Sequence, residues 1–138
     1  MRLSITPVPI EIRSESIERL NLNGPEREVM LIYSIASDHV WNVVSDKALI
    51  CIFGLISRSL TEQSAYLWVH TIPNMDRYRF TFARHSREVL KEMLKHYLTI
   101  TGHCDINNPS ARRWLCWLGV EFHEPQGQLI PFTVTKNG

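Results

Sequence analysis

Asn108-Pro109-Ser110-Ala111-Arg112-Arg113-Trp114-Leu115-Cys116-Trp117-Leu118-Gly119-Val120 reads as a turn, a short helix and the beginning of a strand. Asn108 is placed to cap the helix by accepting a backbone N–H bond, and Pro109 falls at the first helical position, where no N–H is missed. Ala111, Trp114, Leu115 and Leu118 repeat at helical spacing, which predicts that Trp114 is largely buried. Gly119 stops the helix where a positive φ carries little strain. Val120 and Phe122 then resume with the period of two that a strand requires.

Working outward, residues 102–106 read as a short strand leading into this motif. Residues 120–124 and 129–135 alternate around Pro125-Gln126-Gly127-Gln128 as a final hairpin. The longest helical signal covers residues 77–98, with Val89, Leu90, Met93, Leu94 and Tyr97 on one face and Arg87, Lys91, Glu92 and Lys95 on the other. Ser86 and Glu88 mark its expected start, which leaves residues 78–84 as a loop or a preceding turn. Residues 40–44 and 48–56 are β-branched runs around the hairpin signal Ser45-Asp46-Lys47, and Gly54 marks a bulge or a close approach of another backbone. The near-continuous apolarity of residues 65–72 suits a strand buried on both faces and ended by Pro73-Asn74. Residues 3–9 read as an edge strand, and residues 10–22 as a weak acidic helix ended by Asn23-Gly24-Pro25. Residues 26–37 read as a second helix, with a strand reading in competition.

The 138 residues are read as one domain, residues 1–138, long enough for a core. Hydrophobic residues make up 44% and charged residues 21%, which excludes a disordered tail. No apolar run approaches the roughly 20 residues of a transmembrane helix, so no membrane span is expected. The N-terminus lacks the apolar segment of a secretory signal. Cys51, Cys104 and Cys116 are odd in number and sit in apolar patterns, so they are read as buried free thiols in a reducing compartment. A net charge of +1 gives no general drive toward nucleic acid.

The order β-α-α-β-β-β-α-β-α-β-β, with Asn108, Ala111, Gly119 and Val120 at their spacing, resembles the GNAT (Gcn5-related N-acetyltransferase) superfamily. The resemblance implies an α+β fold, a single GNAT-like domain with a central mixed, mostly antiparallel sheet flanked by helices. It implies that residues 65–72 lie beside residues 102–106 and splay apart at one end, the usual cofactor slot of that fold. Over shorter stretches the chain is similar to GNAT-like internal-virion or virion-morphogenesis proteins of T-seven-type short-tailed phages. Those stretches are Ile106-Asn107-Asn108, Gly119-Val120-Glu121-Phe122-His123-Glu124 and Phe132-Thr133-Val134-Thr135-Lys136-Asn137-Gly138.

Active members of the superfamily hold the pyrophosphate of acetyl-CoA on backbone N–H groups at the start of the main helix, where glycines admit the phosphates. The corresponding place here reads Phe82-Ala83-Arg84-His85-Ser86-Arg87 and has no glycine. The resemblance puts vestigial cofactor binding at Arg84, His85, Ser86, Arg87, Asn108 and Ala111. Leu115 stands where many members carry a tyrosine read as the general acid, and leucine has no proton to give. No catalytic residue is assigned.

Other clusters carry less. His103-Cys104-Asp105 is rich in ligand atoms, but Cys104 alternates into the core pattern and zinc spacing is missing, so no metal is expected. Cys116 lies between Leu115 and Trp117 and reads as an inert thiol rather than a nucleophile paired with His103 or His123. Arg112, Arg113 and Trp117, with Arg77, Arg79, Arg84, Arg87, Lys91 and Lys95, read as a solvated basic face; docking of an acidic partner or nucleic acid is the lesser reading. The acidic stretch of residues 11–28 is complementary to it, which leaves room for a homodimer.

The expectation is therefore a GNAT-fold phage protein acting in virion assembly, or as an internal virion component, through contacts with phage structural or core proteins and without acetyl transfer or a cofactor. Its place would be the host cytoplasm during assembly, or the particle. The alternative is an acetyl-CoA-dependent N-acetyltransferase with a degenerate pyrophosphate loop.

Overall fold

The chain runs β1 (Leu3–Pro7), a 3-10 turn (Ile10–Ile12), α1 (Arg13–Glu18), α2 (Gly24–Ala36), β2 (His39–Ser45), β3 (Ala48–Ser59) and β4 (Ser64–Thr71). It continues with α3 (Arg79–His96), β5 (Thr99–Asp105), α4 (Pro109–Leu118), β6 (Glu121–Phe122) and β7 (Leu129–Thr135). This computed structural model describes residues 3–59, 63–72 and 78–135. Residues 73–74, expected to end a strand, together with Arg77 and residues 136–138, lie outside them. The strands form a mixed, mostly antiparallel sheet in the order β1-β2-β3-β4-β5-β7-β6, flanked by helices, as expected of the GNAT fold. Two compact units divide the chain, residues 1–56 with 68–75 and residues 57–67 with 76–138; β3 and β4 contribute to both.

In the first unit β1 is the edge strand, antiparallel to β2 from Leu3↔Ser45 to Pro7↔Trp41. Proline is tolerated there because an edge can spare a donor. β2 and β3 form a hairpin whose two-residue turn has Asp46 at φ 50 and Lys47 at φ 70. Two left-handed residues give the twist that matches flanking strands. The irregularity in this ladder falls between Val43 and Val44. Gly54 is instead the site of close approach: a Cβ there would lie 2.7 Å from the Trp68 indole.

Residues 10–22, expected to be one helix, break into the 3-10 turn and the short α1, and the chain then passes through Asn21 at φ 54. Arg13 is buried and donates to the carbonyls of Val8 (3.2 Å), Ser34 (2.8 Å) and Ser37 (2.7 Å). The last two belong to the C-terminal end of α2, where carbonyls lack helical partners and the dipole favours a cation. Ser37 extends the network, accepting from Trp68 Nε1 at 2.7 Å and donating to the Tyr33 carbonyl at 2.6 Å.

In the second unit β4 and β5 run parallel, paired at Ser64↔Thr99, Ala65↔Ile100 and Tyr66↔Thr101. β5 pairs antiparallel with β7 from Thr99↔Thr135 to Asp105↔Leu129, and β7 pairs antiparallel with β6. Ala65, Leu67, Ile100, Cys104, Ile130, Phe132 and Val134 alternate into the core. Gly102 is required in that layer, because a Cβ there would strike the Phe132 ring and come 2.9 Å from the Leu67 carbonyl oxygen. α3 packs on α4 through Phe82 and Trp114, whose ring centroids are 5.1 Å apart.

The two ends of the helix in the Asn108–Val120 motif form as the sequence predicts. Asn108 Oδ1 accepts from the Ala111 N–H at 3.1 Å, Pro109 opens α4, and Gly119 closes it at φ 87. The face of α4 is rotated from expectation: Leu115 is buried at 4% exposure while Trp114 is only half-buried, and Cys116 is exposed rather than buried. Burial pushes the thiols of Cys51 and Cys104 up. β4 is buried at Ala65, Leu67 and Trp68, but its other positions are half-buried, so it is less enclosed than its composition suggests.

Candidate functional site

The β4–β5 ladder is the natural starting point, since these strands were expected to be neighbours that splay. They are neighbours. Their pairing stops at Tyr66↔Thr101 although β4 runs on to Thr71 and β5 to Asp105. β4 stays with its other partner meanwhile, the Ile72 N–H donating to the Ile50 carbonyl at 3.0 Å.

At that point stand two side chains from the two strands. Tyr66 Oη lies 3.0 Å from His103 Nδ1, with ring centroids 5.6 Å apart. Tyr66 is half-buried and His103 exposed. Register places further polar groups on the same sheet face, since directly paired residues point the same way. Thr101 precedes His103 by two residues, Pro131 is its partner on β7, and the His123 N–H bonds the Pro131 carbonyl at 2.9 Å. His123 Nε2 is 2.7 Å from Thr133 Oγ1. One face of this half of the sheet is thus the core, and the other is a field of hydroxyl and imidazole groups.

The six positions expected to bind cofactor divide between α3 and the start of α4. α3 begins at Arg79, seven residues before Ser86, so Arg84, His85, Ser86 and Arg87 lie inside the helix rather than on a loop at its start. Their N–H groups belong to the helical ladder and cannot cradle a phosphate. Ser86 is buried and donates to the Phe82 carbonyl at 2.6 Å. The Arg87 guanidinium stacks over Trp117 at 3.7 Å and donates to the Trp117 carbonyl at 3.0 Å. Arg84 and His85 are exposed. Asn108 and Ala111 are joined by the α4 cap. The first turn of α3 is that of residues 79–82, where the helix presents the positive end of its dipole.

The sequence offers His103 as a metal ligand or as a partner for Cys116, and does not single out Tyr66. Strand alternation instead buries Cys104 and exposes His103 and Asp105. Among the described residues, no three His, Cys, Asp or Glu side chains are placed to hold a metal ion. Among them, too, no helix is long and apolar enough to cross a membrane.

No protein-family model and no curated protein sequence matches this chain. Solved structures do. A chimera of the spermidine N-acetyltransferase SpeG from Vibrio cholerae with hSSAT is similar over 99% of this chain and 97% of its own, with a TM-score of 0.70 at 12% identity. The dodecameric spermidine N-acetyltransferase from Vibrio cholerae in an intermediate state is similar over 99% and 95%, with a TM-score of 0.67 at 13% identity. The N-acetyltransferase PseH of Campylobacter jejuni is similar over 97% and 98%, with a TM-score of 0.65 at 12% identity. The class this defines is the GNAT fold. A whole-chain likeness to acetyltransferases overturns the expectation of a non-catalytic protein of virion assembly, which rested on the glycine-free residues 82–87, on Leu115 in place of a tyrosine and on three short C-terminal stretches.

Proposed function

We propose that this protein is an acetyl-CoA-dependent N-acetyltransferase that moves an acetyl group to an amine. The observation that carries the reading is the parallel β4–β5 ladder that ends after three pairs while both strands continue. The backbone N–H and C=O groups of Leu67, the first residue past the last pair, suit the amide-bearing arm of coenzyme A, which would extend the sheet as a strand-like partner. The first turn of α3, residues 79–82, supplies N–H groups and a favourable dipole for a pyrophosphate. The glycines missing from residues 82–87 bear on that turn only at Phe82; residues 79–82 carry no glycine either, so the reading rests there on the helix dipole.

When bound, acetyl-CoA supplies an activated acetyl thioester. The chain's own contribution is to hold the donor at the end of the ladder and to present the polar sheet face to the acceptor. The test is thiol release from acetyl-CoA with a panel of primary amines. Amine-dependent turnover on the order of 1 per second or faster is expected, and thiol release that no amine accelerates would overturn the reading.

A further inference from the structure

We infer that Tyr66 and His103 are the proton-transfer pair of this site, replacing a tyrosine on α4; the inference rests on the transferase reading. The α4 position that the GNAT resemblance assigns to a general acid is Leu115, which is aliphatic and 4% exposed. It has no proton to exchange and does not face solvent. Tyr66 and His103 stand where the ladder ends, one on each strand, with Oη and Nδ1 3.0 Å apart. The His103 ring is exposed and its contact with Tyr66 is made through Nδ1, so one nitrogen is held and Nε2 is open to a substrate.

Acetyl transfer to an amine forms a C–N bond, breaks the C–S bond and leaves one proton to be moved from nitrogen to sulfur. His103 Nε2 takes the proton from the attacking nitrogen while Nδ1–H donates to Tyr66 Oη. Tyr66 then gives its hydroxyl proton to the departing thiolate and recovers one from Nδ1. The amine has lost one proton, the thiol has gained one, and the pair is again neutral. Other groups on this face are less suited. His123 is engaged with Thr133 and lies two strands from the ladder's end. Asp105 Oδ1 accepts from the Asn107 N–H at 2.8 Å, and Glu121 is exposed opposite Thr133.

A merely structural rung between the strands predicts something different. In the wild-type protein, diethyl pyrocarbonate labelling of His103, read by peptide mass spectrometry, is expected to slow at least fivefold at saturating acetyl-CoA, while the exposed His96 at the end of α3 is unaffected. Y66F and H103Q are expected to lower kcat by about 10²–10⁴-fold with acetyl-CoA affinity within about threefold of wild type, since the proton is moved only in the reaction. If acetyl-CoA binds and His103 stays fully reactive, the pair is wrong and the transferase reading stands. Turnover by both variants within about threefold of wild type would overturn the pair in the same way. Absence of acetyl-CoA binding by the wild type would remove the transferase reading and the pair together.

Discussion

Replacing Arg13 with methionine tests the first unit's construction. Methionine keeps the length and apolar stem of the side chain and removes its donors, so packing is largely retained. Three carbonyls, those of Val8, Ser34 and Ser37, then lose bonds of 3.2, 2.8 and 2.7 Å. Hydrogen bonds to a charged group contribute about 1.5–3 kcal/mol each, and a buried acceptor without a donor costs about 1–3 kcal/mol. Water entering beside the carbonyls recovers part of this, which brings the expected loss to about 3–5 kcal/mol. Against a total stability of about 5–15 kcal/mol for a domain, that is a large fraction. Arg13→Lys, which keeps one cationic donor group but loses the fork, should lose about half as much. Urea denaturation followed by tryptophan fluorescence reads the change through the midpoint at constant slope. A loss below about 1 kcal/mol for Arg13→Met would refute the claim that this guanidinium holds the end of β1 to the end of α2.

Gly102→Ala places a methyl against the Phe132 ring and the Leu67 carbonyl, so it should destabilise by about 1–3 kcal/mol and weaken acetyl-CoA binding; a silent substitution would mean that the strands yield freely there. His70 is half-buried and its pKa is lowered from 6.5 by burial, against an opposing pull from Glu26 at 3.6 Å. The unfolded chain therefore takes up this proton first as pH falls, so the stability is complete above pH 6.5 and declines between 6.5 and the lower folded value. Wild type should lose more stability than His70→Gln between pH 8 and pH 5, and parallel curves would contradict this.

The α4 motif was legible because its signals are local: a cap, a proline and a terminating glycine all lie within twelve residues of one another. The start of α3 was not, for Ser86 sits mid-helix bonding its own i−4 carbonyl, and no side chain caps the helix at Tyr78. Trp114 and Cys116 were misplaced because a turn of helix assigns a face only to within about a residue, and tertiary packing chose Leu115 as its centre. Nothing in the sequence singles out Arg13 within residues 10–22, since no local signal places three carbonyls around it. Tyr66 and His103 are 37 positions apart, and only the parallel register of β4 and β5 brings them together. The functional expectation failed for a related reason: it took the glycine-free residues 82–87 for the start of the main helix and Leu115 for a vacant role, whereas α3 begins at Arg79.

Calorimetric titration of acetyl-CoA into the protein, at low and at physiological salt, tests the central claim most directly. Donor held by backbone groups at the end of the ladder and at the first turn of α3 should bind at micromolar concentration, about 8 kcal/mol, and keep that affinity within a few-fold as salt rises. Binding weaker than about 1 mM, or binding that vanishes at physiological salt as exposed-charge attraction does, would contradict it.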